Sequence, residues 1–152
     1  MGVTELRVSV PIEQSAETVW AAASDWSRQG EWMLGTEVHV IRGDGGAGSE
    51  LAAFTGLCGV GFLDRMEIVD FRPPTCCRVR HAGGLVSGEG GFHVIACGPH
   101  AATFVWWERL ELPTGGGLVW PAARPAFRWG LQRSLTRFAS WCGQYAPGGT
   151  ES

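Results

Sequence analysis

The stretch PAARPAFRWGLQRSLTRFASWCGQY, from Pro121 to Tyr145, decides how the rest of the chain is read. Laid on a 3.6-residue period, Phe127, Leu131, Leu135, Phe138, Trp141, Cys142 and Tyr145 share one face. Arg128, Gln132, Arg133, Thr136, Arg137 and Ser140 share the other. The spacing predicts an amphipathic helix of about six turns. Pro125 suits a first turn, where its missing N–H costs nothing, and Gly143 followed by Pro147-Gly148-Gly149 predicts the end. Ser134 is the one strongly polar side chain inside the apolar arc, so it either bonds back to its own helix or meets a polar group inside. A helix alone cannot bury so wide an apolar face. The chain before it reads mostly as short strands, which predicts a sheet wrapped round this helix.

Composition agrees with a curved sheet. The 152 residues include eight Trp and twenty-three Gly, and glycine permits bends while aromatic rings fill or line a concave side. That length can bury a real core, and we expect a single domain over 1–147 with a flexible tail over 148–152. The net charge is −3, and the outer face of the last helix carries the one basic stripe, which argues against nucleic-acid binding. That basic face reads either as solvated or, more sharply, as a surface for an anionic partner. The N-terminus carries Glu5, Arg7, Glu13 and Glu17, with no signal-peptide core, and no window is apolar enough to span a membrane. Cys58, Cys76, Cys77, Cys97 and Cys142 are odd in number and lack a C-x-x-C spacing, as expected for reduced thiols in a cytoplasmic protein.

Taken in order, Leu6, Val8 and Val10 alternate with Arg7 and Ser9 in a first strand ending at Pro11. Ser15 caps a helix running to about Ser24, and Asp25-Trp26 with Gly30-Glu31-Trp32 form a second short helix or turn. Val38 and Val40 open a strand that returns through Gly43-Asp44-Gly45-Gly46 into Ser49–Leu57. The turn Leu57-Cys58-Gly59-Val60-Gly61 is not a phosphate loop, since no Lys follows and no helix starts there. Met66 and Ile68 against Arg65 and Glu67 mark the next strand, stopped by Pro73-Pro74, and Cys77 and Val79 against Arg78 and Arg80 mark another. Val86–Cys97 and Ala101–Leu112 form a long hairpin round Gly98-Pro99-His100. Strands this close together leave no room for βα crossovers, so the sheet is an antiparallel meander.

The order strand, two helices, six strands, long helix resembles the helix-grip fold of the START-like (SRPBCC, birch-pollen-allergen-like) superfamily, and within it the bacterial polyketide cyclase/dehydratase and lipid-transport branch. Ala16-Glu17-Thr18-Val19-Trp20 with Asp25 and Trp32, Asp70-Phe71-Arg72-Pro73-Pro74, Trp106-Trp107-Glu108 and the Pro121–Phe138 helix carry the resemblance. It implies an α+β fold with a curved seven-stranded antiparallel sheet round a long C-terminal helix and two short helices after the first strand. It further implies a hydrophobic cavity between sheet and helix for carriage, sensing or cyclisation of a polyketide. We therefore expect a small hydrophobic ligand, lipid or polyketide-like, with no cofactor, no metal and no nucleic acid.

Strand phase nominates the residues inside. Phe104, Trp106, Leu110 and Leu112 are apolar, and Glu108 falls in their phase, so it must be paired, wetted by a cavity or neutral; a purely structural Glu is the competing reading. If Cys97 faces Ala102, Gly91 lies opposite Glu108, and a one-residue slip substitutes Gly90. Either leaves a gap beside the carboxylate. His81 shares the inward phase of Cys77 and Val79, and His93 faces inward in one hairpin register only. Glu108, His81 and His93 are thus the candidates for proton transfer, although a lone inward His is more often a core residue with one hydrogen bond. Their spacing fits no metal site, and no nucleophile elbow is present. Trp32, Phe54, Met66, Ile68, Val79, Trp106, Phe127, Leu131, Ser134, Leu135 and Phe138 are the further candidates for contact with a ligand. Trp26 and Trp32 would form a cavity mouth, Trp20 would anchor the first helix, and Leu118-Val119-Trp120 would act as a lid. Trp129 on the polar helix face is a candidate homodimer or membrane-surface contact.

Overall fold

The computed structural model describes residues 2–57, 60–82, 87–112 and 116–145. The turn at Cys58-Gly59, the start of the hairpin at Val86 and the tail over 148–152 lie outside them, as do the side chains of Leu118 and Val119 in the expected lid.

Strand β1 spans Gly2–Ile12, helix α1 Ala16–Ala23, and a short 3-10 helix Trp26–Glu31. The Ser15 hydroxyl accepts from Thr18 N at 3.1 Å, capping α1 as expected. Strands β2 (Thr36–Arg42), β3 (Glu50–Leu57), β4 (Val60–Arg72), β5 (Cys76–His81), β6 (Ser87–Gly98) and β7 (Ala101–Leu112) follow, and helix α2 runs over Gly116–Cys142. The seven strands form one antiparallel sheet in the order β1-β7-β6-β5-β4-β3-β2. This is the α+β helix-grip architecture.

Helix α2 begins five residues before the expected Pro121, which puts Pro121 and Pro125 inside it rather than in its first turn. Each proline removes one main-chain donor from the helix. The burial of α2 divides along its length. Leu131, Ser134, Leu135, Phe138 and Cys142 are buried against the concave side of the sheet, whereas no residue from 121 to 130 is buried. The apolar stripe therefore holds only for the second half. Phe127 is 41% exposed and packs on Trp120 with ring centroids 5.6 Å apart, so it does not face the sheet.

The polar face of α2 is not simply solvated. Arg124 donates to the Glu5 carbonyl at 3.0 Å, Arg128 to the Arg7 carbonyl at 2.9 Å and Gln132 to the Ser9 carbonyl at 3.0 Å. Trp120 Nε1 adds a bond to Thr4 Oγ1 at 2.9 Å. The ladder works because four helical residues advance about 6 Å and two strand residues about 6.7 Å. It occupies carbonyls of β1 at the open edge of the sheet, where unpaired backbone would otherwise invite another strand.

The end of the interior nearest α1 is filled by rings. Trp32 lies 4.4 Å from Phe138 and 6.3 Å from Phe104 between centroids, Phe104 lies 4.5 Å from Phe138, and Trp20 meets Phe92 at 5.4 Å. Trp26 and Trp32 are both buried, so they form a floor rather than a mouth. Trp26 Nε1 donates to the Gly45 carbonyl at 2.9 Å, pinning the β2–β3 turn. The thiols of Cys77 and Cys142 are buried in apolar surroundings that push both up to about 12, which makes them inert core residues.

Candidate functional site

The other end of the concave face carries a polar cluster. His81, the last residue of β5, is hydrogen-bonded through Nδ1 to Asp64 Oδ2 at 2.8 Å and through Nε2 to Glu108 Oε1 at 3.1 Å. Trp106 Nε1 donates to the second oxygen of Glu108, Oε2, at 2.9 Å. All three ionisable side chains are largely withdrawn from solvent.

The sheet brings these groups together by alternation and by two glycines. Asp64, Met66 and Ile68 alternate onto the concave side of β4, with Leu51 opposite Met66 and Ala53 opposite Asp64 on β3. His81 pairs with Met66 on one side and with Gly88 of β6 on the other, and Gly90 pairs with Glu108 of β7. His81 and Glu108 thus stand on strands separated by β6 and meet across it because Gly88 and Gly90 raise no side chain between them. A Cβ on Gly90 would lie 2.6 Å from Glu108 Oε1. The expected gap beside Glu108 is therefore real, in the Gly90 register rather than the Gly91 register, and the carboxylate itself reaches into it.

Burial alone would pull the His81 pKa down, but the hydrogen bonds to Asp64 and Glu108 outweigh it and raise the imidazole from 6.5 to about 9. At neutral pH the ring is an imidazolium held between two carboxyl groups. Asp64 Oδ1 is buried and has no partner among the described residues, and neither has the Trp32 Nε1 donor. Glu108 also borders a surface cleft of about 540 Å³ at the β1 edge, whose walls include Leu6, Trp107, Arg109, Arg124 and Arg128. A second cleft, of about 390 Å³, lies at the far end beside Asp25, Trp26, Asp44 and Phe71.

The remaining candidates divide by strand face. Ile68 is buried, and Met66, Val79 and Trp106 pack partly buried against the same core. Ser134 Oγ accepts from Leu34 N at 3.0 Å, which resolves its two expected roles in favour of a main-chain partner from another element. Two candidates point the other way. His93 alternates out of phase with the buried Phe92 and Val94, so the observed hairpin register puts it on the outer face. Phe54 follows the buried Ala53 and pairs with the exposed Leu63, again on the outer face. Asp64 is the residue that sequence reasoning missed. Its signal was the two-residue step to Met66 and Ile68, which assigns all three to one face.

A curved antiparallel sheet gripping a C-terminal helix defines the helix-grip class. The family model for polyketide cyclase / dehydrase and lipid transport proteins matches residues 3–142, and the chain belongs to that family. Among solved structures it is similar to an aromatase/cyclase from Streptomyces sp. R1128, with 13% identity, TM-score 0.76, and 98% of this chain and 100% of that one covered. It is also similar to a START superfamily protein from Mycobacterium smegmatis, with 17% identity, TM-score 0.73, and 92% and 97% covered. Norcoclaurine synthase from Thalictrum flavum, solved with dopamine and hydroxybenzaldehyde, matches with 15% identity, TM-score 0.70, and 95% and 89% covered. At such identities the likeness concerns the fold. No curated protein sequence matches the chain. No helix among the described residues is long and apolar enough to cross a membrane.

Proposed function

We propose that the protein binds a small, largely apolar molecule between the concave face of the sheet and α2, with the polar end of that molecule held at Asp64, His81 and Glu108. The observation that carries this reading is the buried cluster itself. Three ionisable groups inside an apolar sheet are a poor way to gain stability, because desolvation cancels most of their attraction, whereas perturbed groups of this kind gather where ligands are handled. The unburied first half of α2 supports the reading, since no residue from 121 to 130 is buried against that end of the interior. Apolar burial at roughly 25 cal/mol per Å² would supply the affinity and the cluster the orientation.

The pairing of His81 with Glu108 favours one second reading, a cyclase or dehydratase acting on a polyketide-like chain. Glu108 would take a proton from an enolisable carbon. A carbon–carbon bond would form as the attacked carbonyl oxygen accepts the proton of His81 Nε2, and the proton on Glu108 would return to His81 through their hydrogen bond. Asp64 would hold the ring in position throughout.

Titration with the neutral fluorophore prodan, a propionyl-dimethylaminonaphthalene, tests the binding reading. Saturable one-to-one enhancement that Leu131→Trp weakens and Trp129→Ser does not is the expected result; no saturable binding overturns it. Glu108→Gln separates the two readings. It lowers turnover of a poly-ketone by roughly 10²-fold with little change in affinity if the protein is an enzyme, and changes affinity alone if it is a carrier.

A further inference from the structure

We infer that the interior site selects its ligand by a hydrogen-bond donor, a hydroxyl or an ammonium group, delivered to Asp64 Oδ1, and discriminates against a ligand that presents a carboxylate there. This rests on the binding reading above and adds the chemical class of the polar group.

Three observations converge on it. Asp64 is 8% exposed, and its Oδ1 is buried with no partner among the described residues. A buried carboxylate oxygen without a donor is uncommon in folded proteins and costs the desolvation of a charged group, so a bound donor at that oxygen recovers a loss the protein alone leaves open. The other three carboxylate oxygens of the cluster are used: Asp64 Oδ2 and Glu108 Oε1 by His81, and Glu108 Oε2 by Trp106. The open position is therefore an acceptor, and a ligand must bring the proton.

Composition gives the same sign. Two acidic side chains, Asp64 and Glu108, flank the one basic side chain, His81, so acidic groups outnumber basic ones in the cluster. No arginine among the described residues reaches either carboxylate. Arg124 and Arg128, which line the cleft beside Glu108, spend a donor each on the β1 carbonyls. An anionic head group at Asp64 would be set against two acidic side chains with no spare cation to pair with it, in a medium of low polarity where charge is weakly screened. A hydroxyl meets no such barrier, and an ammonium group is attracted.

The competing account is a trapped water on Asp64 Oδ1, which would satisfy the oxygen without giving the ligand a preference. Three naphthalenes of one shape separate the two: 2-naphthol, which donates; 2-methoxynaphthalene, which only accepts; and 2-naphthoate, which is anionic. Each is titrated by displacement of prodan. The expected order is 2-naphthol tightest, by about tenfold over the methyl ether, as one hydrogen bond to a charged group allows, with 2-naphthoate the weakest. In Asp64→Asn the ratio of naphthol to ether is expected to fall below about threefold, whatever the variant's affinity for prodan, whereas Trp129→Ser keeps the ratio of the unmodified protein. Equal affinities of naphthol and ether in the unmodified protein overturn the inference whether or not the variant folds. So does naphthoate binding as tightly as naphthol. If prodan and all three naphthalenes fail to bind, the binding reading itself falls, and the inference with it.

Discussion

The two halves of α2 carry the same kinds of residue and do opposite things. From Leu131 to Cys142 the helix buries its apolar stripe against Trp32, Phe104 and the rest of the ring cluster. From Pro121 to Gly130 it buries nothing and is held to the sheet by Arg124 and Arg128 on the carbonyls of β1. Beneath the first of these lies a packed core, and at the other end of the same concave face lies Asp64–His81–Glu108. The contrast separates a part of the interior where rings pack on one another from a part where buried ionisable side chains are held by hydrogen bonds. Stability should therefore concentrate at the ring end and ligand response at the cluster end.

Phe138→Ala gives the sharpest test of that division. It removes a fully buried ring from the packed end and is expected to lower unfolding free energy by about 3–5 kcal/mol in urea denaturation. A comparable loss on Phe127→Ala would break the comparison, because that ring is exposed and should cost little.

Next in size is the pH dependence from His81. Its folded-state pKa, about 9, lies above the 6.5 of the free side chain, so its contribution is complete below about pH 6.5 and is lost as pH rises through about 9. The change across that window is expected to approach about 3 kcal/mol. His81→Gln should flatten the curve there, and an unchanged curve would remove the imidazolium from the cluster.

Ser134→Ala leaves Leu34 N without its acceptor and is expected to cost about 1–2 kcal/mol. The ladder is weaker for each rung because its members are exposed. Arg128→Met should cost about 1 kcal/mol and, in hydrogen exchange, loosen β1 and the first half of α2 without loosening the ring end. Uniform loosening of the whole helix would mean that its two halves are one cooperative unit. Trp129→Ser should be the smallest, within about 0.5 kcal/mol, since Trp129 is 67% exposed. Any loss of self-association in that variant, read by sedimentation, would locate a contact between copies there.

Much of this architecture could be read from residue order. The alternation of Leu6 and Val8, of Met66 and Ile68, and of Phe104 and Trp106 assigned sheet faces, because strand side chains must alternate whatever the partner strand. Ser15 and Gly143 marked helix ends through their local hydrogen-bonding and conformational preferences, and both ends fall where expected. The inward placement of His81 and Glu108 was equally a matter of local phase. Periodicity did not reveal that the stripe would stop at Phe127, since it says which residues share a face and not how far the opposing surface extends. Nor did it fix the side of His93, which depended on whether the β6–β7 register places Gly90 or Gly91 opposite Glu108.

The sequence by itself therefore determined the elements, their order and the side of the sheet to which most residues belong, because those follow from backbone periods of 2 and 3.6. Only the tertiary structure decided that His81 and Glu108 meet, for they stand on β5 and β7, which are separated by β6, and their bond depends on Gly88 and Gly90 leaving β6 bare between them. It also decided that Asp64 completes the pair as a cluster, and that Arg124, Arg128 and Gln132 serve the edge of β1 rather than solvent. Each of these is a contact between segments distant in sequence, set by strand register and helix docking, and no local pattern records such distances.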